Sequence, residues 1–516
     1  MVEEDEEGRW YRVTAQEPGK GFGFLFEMGC GKTLTAIAVM GAMYQQGKIN
    51  RVLIVAPSSV CAVWPRELAE FAAFPHRASL LLGDKKKRLS ELSRLVAAEE
   101  IGTPALSVAV INYESTFRDG ILEALQDFAP DMIICDESQR IKTHNAAQSK
   151  AMHKLGDVAA YKLILSGTPI QNAAIDLYSQ YRFLDPGVFG SNFYAFQNRY
   201  AIMGGYQRHQ IVGYRDMDEL TKKAHSVAYR VTKEECLDLP EQTFENRYVD
   251  FEPEARKIYE QIKRDSYAEL DCGDTVTATT VLTRLLRLQQ LTGGYLQADG
   301  EGKPSRVSKA KIKALADIVE DYVVGSGKKL VIFARFLPEI DAIEKLLQEK
   351  KIRYGLIYGD VKLEDRGGIV KDFQTNPETM VFIAQLQTAG LGITLHAASA
   401  AVFYSVDYNY ANYSQALARI HRIGQKNACT YIHLMVANSI DDKVMQALSK
   451  KEELAKEIVD NWREFFESNL PTGGGIIPPE TRRFLWKCHM NLVIRSLRCV
   501  TMRCCWKAAG EQRSII

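Results

Sequence analysis

The chain has no apolar run near the ~18 residues that a membrane-spanning helix needs, so no transmembrane segment is expected. Cysteine is sparse: ten residues scattered over 516 exclude a disulfide scaffold and point to a reduced, intracellular protein. The start also lacks the basic stretch of a secretory signal. Glu3, Glu4, Asp5, Glu6 and Glu7 give it the opposite sign. A cytoplasmic location is expected, in a prokaryote or a virus-infected host, or a nuclear one if the source is eukaryotic. Net charge is only +1, but it is unevenly held. From Pro471 to Ile516 there are eight Lys/Arg against two Asp/Glu, a net +6, which leaves −5 for the rest. A surface for a polyanion must therefore be a local stripe on a mildly acidic body. At 516 residues, with 46% hydrophobic and 25% charged residues, the chain exceeds one hydrophobic core and reads as a multidomain globular protein.

The most informative stretch is Phe24-Leu25-Phe26-Glu27-Met28-Gly29-Cys30-Gly31-Lys32-Thr33. An apolar run ends in a glycine-punctuated turn, and Leu34 to Met40 then reads as a helix. Glycines let backbone N–H groups close around oxyanions, a helix N-terminus adds its positive dipole end, and a lysine neutralises the outer phosphates. A threonine hydroxyl in that position can hold Mg²⁺. Gly29, Cys30, Gly31, Lys32 and Thr33 are thus a candidate phosphate cradle for a nucleotide. Phe26 stands where the strict pattern has its first glycine, so an ordinary glycine turn before a buried helix is the alternative.

The remainder alternates strand and helix, twice. Val52–Ala56, Ser107–Ile111, Met132–Cys135 and Lys162–Leu165 are short unbroken apolar runs, as in buried parallel strands. Helices are predicted between them, at Pro65–Phe71 and His144–Leu155. A helical and irregular stretch follows over about 172–300. A second set of strands comprises Leu330–Ala334, Tyr354–Tyr358, Met380–Ala384, Ala401–Ser405 and Thr430–Leu434, with an amphipathic helix marked by Ile340, Ile343, Leu346 and Leu347. The expected architecture is two tandem doubly wound α/β lobes with helical insertions. Residues 1–245 are assigned to lobe one, 246–305 to a helical segment and linker, 306–470 to lobe two, and 471–516 to a basic, Cys-rich tail. In that tail Cys488, Cys499, Cys504 and Cys505 have poor spacing for zinc. A poorly ordered extension is expected there.

Asp136-Glu137 follows the strand Met132–Cys135. A carboxylate leaving a strand beside a phosphate loop can support Mg²⁺, and its neighbour can orient and deprotonate the attacking water. Alone, such a pair would read as a solvated acidic turn. The glycine-Lys-Thr turn upstream favours the catalytic reading.

Asp136-Glu137-Ser138-Gln139, Leu165-Ser166-Gly167-Thr168-Pro169-Ile170-Gln171-Asn172, Ala389-Gly390-Leu391-Gly392-Ile393 and Gln415-Ala416-Leu417-Ala418-Arg419-Ile420-His421-Arg422-Ile423-Gly424-Gln425 together resemble helicase superfamily two, and within it the Swi/Snf-type DNA translocases. The resemblance spans about residues 22–460. It implies two RecA-like lobes and hydrolysis of ATP with Mg²⁺. It further implies that Lys32 and Thr33 bind phosphates and metal, that Asp136 supports the metal, and that Glu137 activates water. By the same resemblance Arg419 and Arg422, with Gln415 beside them, serve the γ-phosphate from lobe two. Ser166, Gly167 and Thr168 would couple nucleotide state to the polymer. Pro57, Asn112-Tyr113-Glu114, and Gly390 and Gly392 would lie along the track, with contacts mostly to phosphates and sugars.

Three departures from the family pattern stand out. Gln139 replaces a His, Thr394 stands in place of an Asn, and the aromatic–Gln stretch that reads adenine is missing. Only 28 residues precede Gly29, and Gln16 is the sole glutamine among them. A shortened chain and adenine held by stacking alone both remain open. The basic residues of Gly204 to His209 and of Lys222 to Lys233 fall where the family carries protrusions. The leading reading is an ATP-dependent translocase on duplex DNA, independent of sequence, serving as a phage or bacterial accessory motor. The alternative is a helicase that separates strands of RNA or forked DNA. A nucleotide-dependent scaffold without hydrolysis is disfavoured by Glu137, Arg419 and Arg422.

Overall fold

The computed structural model describes residues 21–204, 210–265, 267–269, 275–277, 281–297, 304–391 and 393–459. The acidic start, Gln16, residues 205–209 of the expected protrusion, the middle of the expected linker, Gly392 and the Cys-rich tail lie outside the described residues. The chain divides into two compact units. One is carried by residues up to Leu237 and from Leu454 onward, the other by Asp238–Glu453.

The first unit is built on seven parallel strands: β1 (Gly21–Phe26), β2 (Arg51–Ala56), β3 (His76–Leu80), β4 (Leu106–Asn112), β5 (Met132–Asp136), β6 (Tyr161–Leu165) and β7 (Ala228–Val231). Their order across the sheet is β3-β4-β2-β5-β6-β1-β7. Helices α1 (Lys32–Gln45), α2 (Val63–Phe71), α3 (Lys85–Ile101), α4 (Ala147–Val158) and α5 (Asp176–Leu184) lie between or after the strands. Both faces of the sheet are covered, which explains the unbroken apolar runs. Val52, Ile54 and Ala56 of β2 enter one core with Val108, Val110, Met132 and Ile134. Leu53 and Val55 enter the opposite core with Ala109, Ile111, Ile133 and Cys135. Successive side chains of a strand point to opposite faces, so each strand feeds both cores.

The second unit repeats the plan with six parallel strands: β8 (Gln242–Val249), β9 (Leu330–Ala334), β10 (Arg353–Ile357), β11 (Thr379–Gln385), β12 (Ala400–Phe403) and β13 (Cys429–Val436). The order is β8-β13-β12-β9-β11-β10. Leu330 and Ile332 face one core with Val381 and Ile383, while Val331 and Phe333 face the other with Phe382 and Phe403. The amphipathic helix expected around Ile340 is α6 (Leu337–Glu349), and Ile340, Ile343 and Leu347 are its buried stripe. The expected fold class, two doubly wound parallel sheets in tandem, is the one observed.

The strands that sequence periodicity did not mark are edge strands. β3 is His-Arg-Ala-Ser-Leu, with every residue part-buried or exposed. β7 and β8 lie at the edges of their sheets inside the stretch expected to be helical and irregular. The same stretch holds an antiparallel hairpin, Ala201–Gly204 with Gln210–Tyr214. One free face or edge removes the continuous hydrophobicity that identifies an inner strand. Among the described residues no helix is long and apolar enough to cross a membrane, and no group of His, Cys, Asp and Glu is clustered to hold a metal ion.

Candidate nucleotide site

Parallel α/β sheets bind ligands beyond the C-terminal ends of their strands. In the first unit three sequence-marked segments leave such ends: residues 27–33 after β1, Asp136-Glu137 from β5, and Ser166–Thr168 after β6. β6 pairs with both β1 and β5, so the three are neighbours.

The β1 strand is anchored by Phe24, Leu25 and Phe26, all buried. The chain then turns through Gly29 (φ +89°) and Gly31 (φ +83°), a left-handed backbone that glycine adopts without steric cost. Gly31 is the N-cap of α1. No side chain caps this helix and its first turn carries no acidic residue. The first N–H groups and the positive dipole end are therefore suited to an anion. The Lys32 ammonium donates to the carbonyl oxygens of Phe26 at 2.9 Å and Glu27 at 3.3 Å, which holds it over the loop. Thr33 is the second residue of α1. Cys30 differs from its neighbours: its side chain is fully buried in the core, so only its backbone remains for phosphates. A side-chain hydrogen bond with Cys236 holds the Cys30 thiol below its ordinary range, against the effect of burial.

Asp136 ends β5 and is only 6% exposed. The indole Nε1 of Trp64 donates to its Oδ2 at 3.0 Å, and the Tyr113 hydroxyl donates to its carbonyl oxygen at 2.8 Å. Burial first, and then the Glu137 carboxylate beside it, push the Asp136 carboxyl up to about 7, while Lys32 pulls it back down. A hard cation sharing the site with the Thr33 hydroxyl would offset that cost, so this donor set fits Mg²⁺. Glu137 has φ +52°, a left-handed conformation unusual for a residue with a side chain.

The substituted Gln139 is buried and bridges two of the segments. Its Nε2 donates to Glu137 Oε2 at 2.6 Å, and its Oε1 accepts from the Ser166 hydroxyl at 2.7 Å. Ser166 Oγ in turn accepts from the Thr168 backbone N–H at 3.1 Å. Gly167 lies against the phosphate loop: a Cβ there would stand 3.2 Å from the Phe26 carbonyl oxygen and 3.5 Å from Lys32 Nζ. The structure therefore brings Lys32, Asp136, Glu137 and the Ser166–Thr168 turn together.

Two residues have a role in this site that the sequence reading did not assign, although Glu27 lies in the glycine-rich stretch and Arg230 in the basic Lys222–Lys233 segment. Arg230, on β7, reaches the loop and pairs with Glu27 at 2.9 Å. The pair has no signature recognisable by spacing, since the two residues are 203 positions apart in the chain. Of the expected track segments, Pro57 follows β2, and Asn112-Tyr113-Glu114 begins at the last residue of β4. There the hydroxyl of Ser58 and the amide of Asn112 both donate to Glu114 Oε2, at 3.4 and 2.9 Å.

Gln415, Arg419 and Arg422 belong to the second unit. Gln415 is buried on α7 (Tyr410–Leu417). The two arginines lie beyond the end of that helix, not on it, and each donates to the Ile393 carbonyl oxygen at 3.3 Å. Arg419 is buried. Gly390 lies in the 3₁₀ turn Leu386–Leu391 that follows β11.

The family model described as the SNF2-related domain matches residues 9–293, and that of the helicase conserved C-terminal domain matches residues 310–424. An ATP-dependent helicase of Mycoplasma genitalium is 27% identical over 454 residues, covering 86% of this chain and 40% of that protein. The human DNA repair and recombination protein RAD54-like is 25% identical over 488 residues, covering 87% of this chain and 65% of that protein. The SWI2/SNF2 ATPase core of Sulfolobus solfataricus, solved in complex with dsDNA, is 25% identical and covers 88% of this chain and 91% of that one, with a TM-score of 0.38. This chain spans about 40% of the length of the Mycoplasma relatives it matches. Because the first of these family models takes in more than half of its residues, the chain belongs to the SNF2-related domain family.

Proposed function

We propose that the chain hydrolyses ATP with Mg²⁺ and uses the energy to move along duplex DNA without regard to sequence. The observation that carries the reading is the linked set Lys32, Asp136, Glu137, Gln139 and Ser166 at adjacent strand ends, in a chain of the SNF2-related family. Residues 29–33 wrap the phosphates, with backbone N–H groups and the Lys32 ammonium supplying positive charge. Thr33 and Asp136 would hold Mg²⁺, which would neutralise charge on the phosphates. Glu137 accepts a proton from the attacking water, and Gln139 orients it. Ser166–Thr168 relays the state of the site to the polymer. Arg419, Arg422 and Gln415 act in hydrolysis. A guanidinium at the γ-phosphate is worth about 10³–10⁵ in rate in comparable enzymes.

The names of the relatives, ATP-dependent helicases and recombination proteins, support DNA as the polymer. An accessory motor in a bacterium or phage is part of the same proposal. The test is ATP hydrolysis with no polymer, blunt duplex DNA, single-stranded DNA or RNA. Blunt duplex should stimulate most. Stimulation confined to RNA or forked DNA would favour strand separation, and a rate indifferent to every polymer would remove the motor reading.

A further inference from the structure

Arg230 is the third residue of β7, which pairs in parallel with β1 in the register Leu25 with Arg230 and Phe26 with Val231. It is 5% exposed. One guanidinium nitrogen donates to the carbonyl oxygens of Leu25 at 2.9 Å and Gly167 at 3.3 Å. Another donates to Glu27 Oε1 at 2.9 Å. The remaining Glu27 oxygen accepts from the Lys233 backbone N–H at 3.0 Å. A single planar cation thus touches the strand that feeds the phosphate loop, the first residue of that loop, and the turn after β6. The contact continues past Arg230. Cys236 hydrogen-bonds Cys30 inside the loop, and Leu237 Cδ1 lies 4.0 Å from where a Cβ on Gly29 would stand. A buried cation is retained only with acceptors on several sides, and the flat fork of arginine meets acceptors that the single ammonium of lysine cannot meet together.

We propose that Arg230 is a positioning residue, locking the phosphate loop and the Ser166–Thr168 turn into one geometry through Leu25, Glu27 and Gly167. This rests on the reading of the site as an ATP pocket. The Arg230 side chain holds the Leu25 carbonyl and the Glu27 carboxylate, on either side of Phe26, and so fixes the segment whose Phe26 and Glu27 carbonyl oxygens accept from Lys32.

The experiment compares the wild-type chain with R230K, E27Q and the double variant. It measures affinity for a fluorescent ATP analogue and the ratio of duplex-stimulated to basal hydrolysis, each normalised to the folded fraction from thermal unfolding. E27Q retains shape and an acceptor for Lys233, so it guards against misfolding of R230K. Each single variant should bind nucleotide about tenfold more weakly, because small displacements of positioning groups are costly, and should show a lower stimulation ratio. The double variant should be no weaker than the weaker single, since both break one contact. Folded variants with unchanged affinity and ratio, or additive losses, would overturn the role of Arg230 while leaving the pocket standing. A wild-type chain that bound no nucleotide would instead remove the pocket and this proposal with it.

Discussion

The Ser166 hydroxyl donates to the side-chain oxygen of Gln139 at 2.7 Å, and this bond ties the turn after β6 to the carboxylate pair that ends β5. Gln139 spends its amide nitrogen on Glu137, so a change at Ser166 reaches the proposed water-activating group through one side chain. Q139A should lower kcat by roughly 10–100-fold, and S166A should lower it as well. The double variant should be no worse than the weaker single, because both interrupt the same path. Steady-state hydrolysis by the three variants decides this, and fully multiplied losses would show two independent paths.

Glu137 is assigned the proton-accepting role, so E137Q should retain nucleotide binding and lose hydrolysis by about 10²–10⁴-fold. Calorimetric titration with ATP, alongside single-turnover hydrolysis, separates the two effects. Equal hydrolysis by E137Q and the wild type would move the chemistry elsewhere.

Gly167 packs on the phosphate loop so closely that a methyl group would press on the Phe26 carbonyl at 3.2 Å and the Met28 N–H at 3.4 Å. The loop must then give by tenths of an ångström. G167A should raise the KM for ATP about tenfold, with a smaller effect on thermal stability. An unchanged KM would mean that the loop geometry is not set from this side.

His433 provides a pH test of the second unit. It is buried on β13, its Nε2 lies 3.0 Å from the Tyr413 hydroxyl, and its ring stacks on Phe403. Burial lowers its pKa from 6.5 to about 4. The unfolded chain therefore binds a proton below pH 6.5 that the folded chain refuses until about pH 4, so stability falls as pH falls across that window. The loss from this group is at most about 3 kcal/mol. H433Q keeps a polar partner for Tyr413 and removes the titration. The gap between the two unfolding curves should change between pH 6.5 and 4, and parallel curves would contradict the assignment.

Inner strands were legible because both faces are buried. Leu330–Ala334 is bounded identically in sequence and structure. The edge strands His76–Leu80 and Gln242–Val249 were not, since no residue of either is fully buried and polar and apolar residues are mixed along both, leaving no unbroken apolar run. In the site, Lys32, Asp136 and Glu137 were marked by local spacing. Gln139 was visible only as a departure from a family pattern, and its bridging role needed the position of Ser166. The pairing of Arg230 with Glu27 carried no local signal, because the parallel pairing of β7 with β1 brings together distant parts of the chain. Cys30 was read as part of the cradle, while its side chain turns into the core and contributes packing.

The central claim is that hydrolysis drives movement along duplex DNA. The most direct measurement is ATP-dependent displacement of a third strand annealed to a duplex, followed over time for the wild type and for E137Q. The account expects displacement by the wild type that stops without ATP and is lost in E137Q. Vigorous DNA-stimulated hydrolysis by the wild type with the third strand left in place would contradict it.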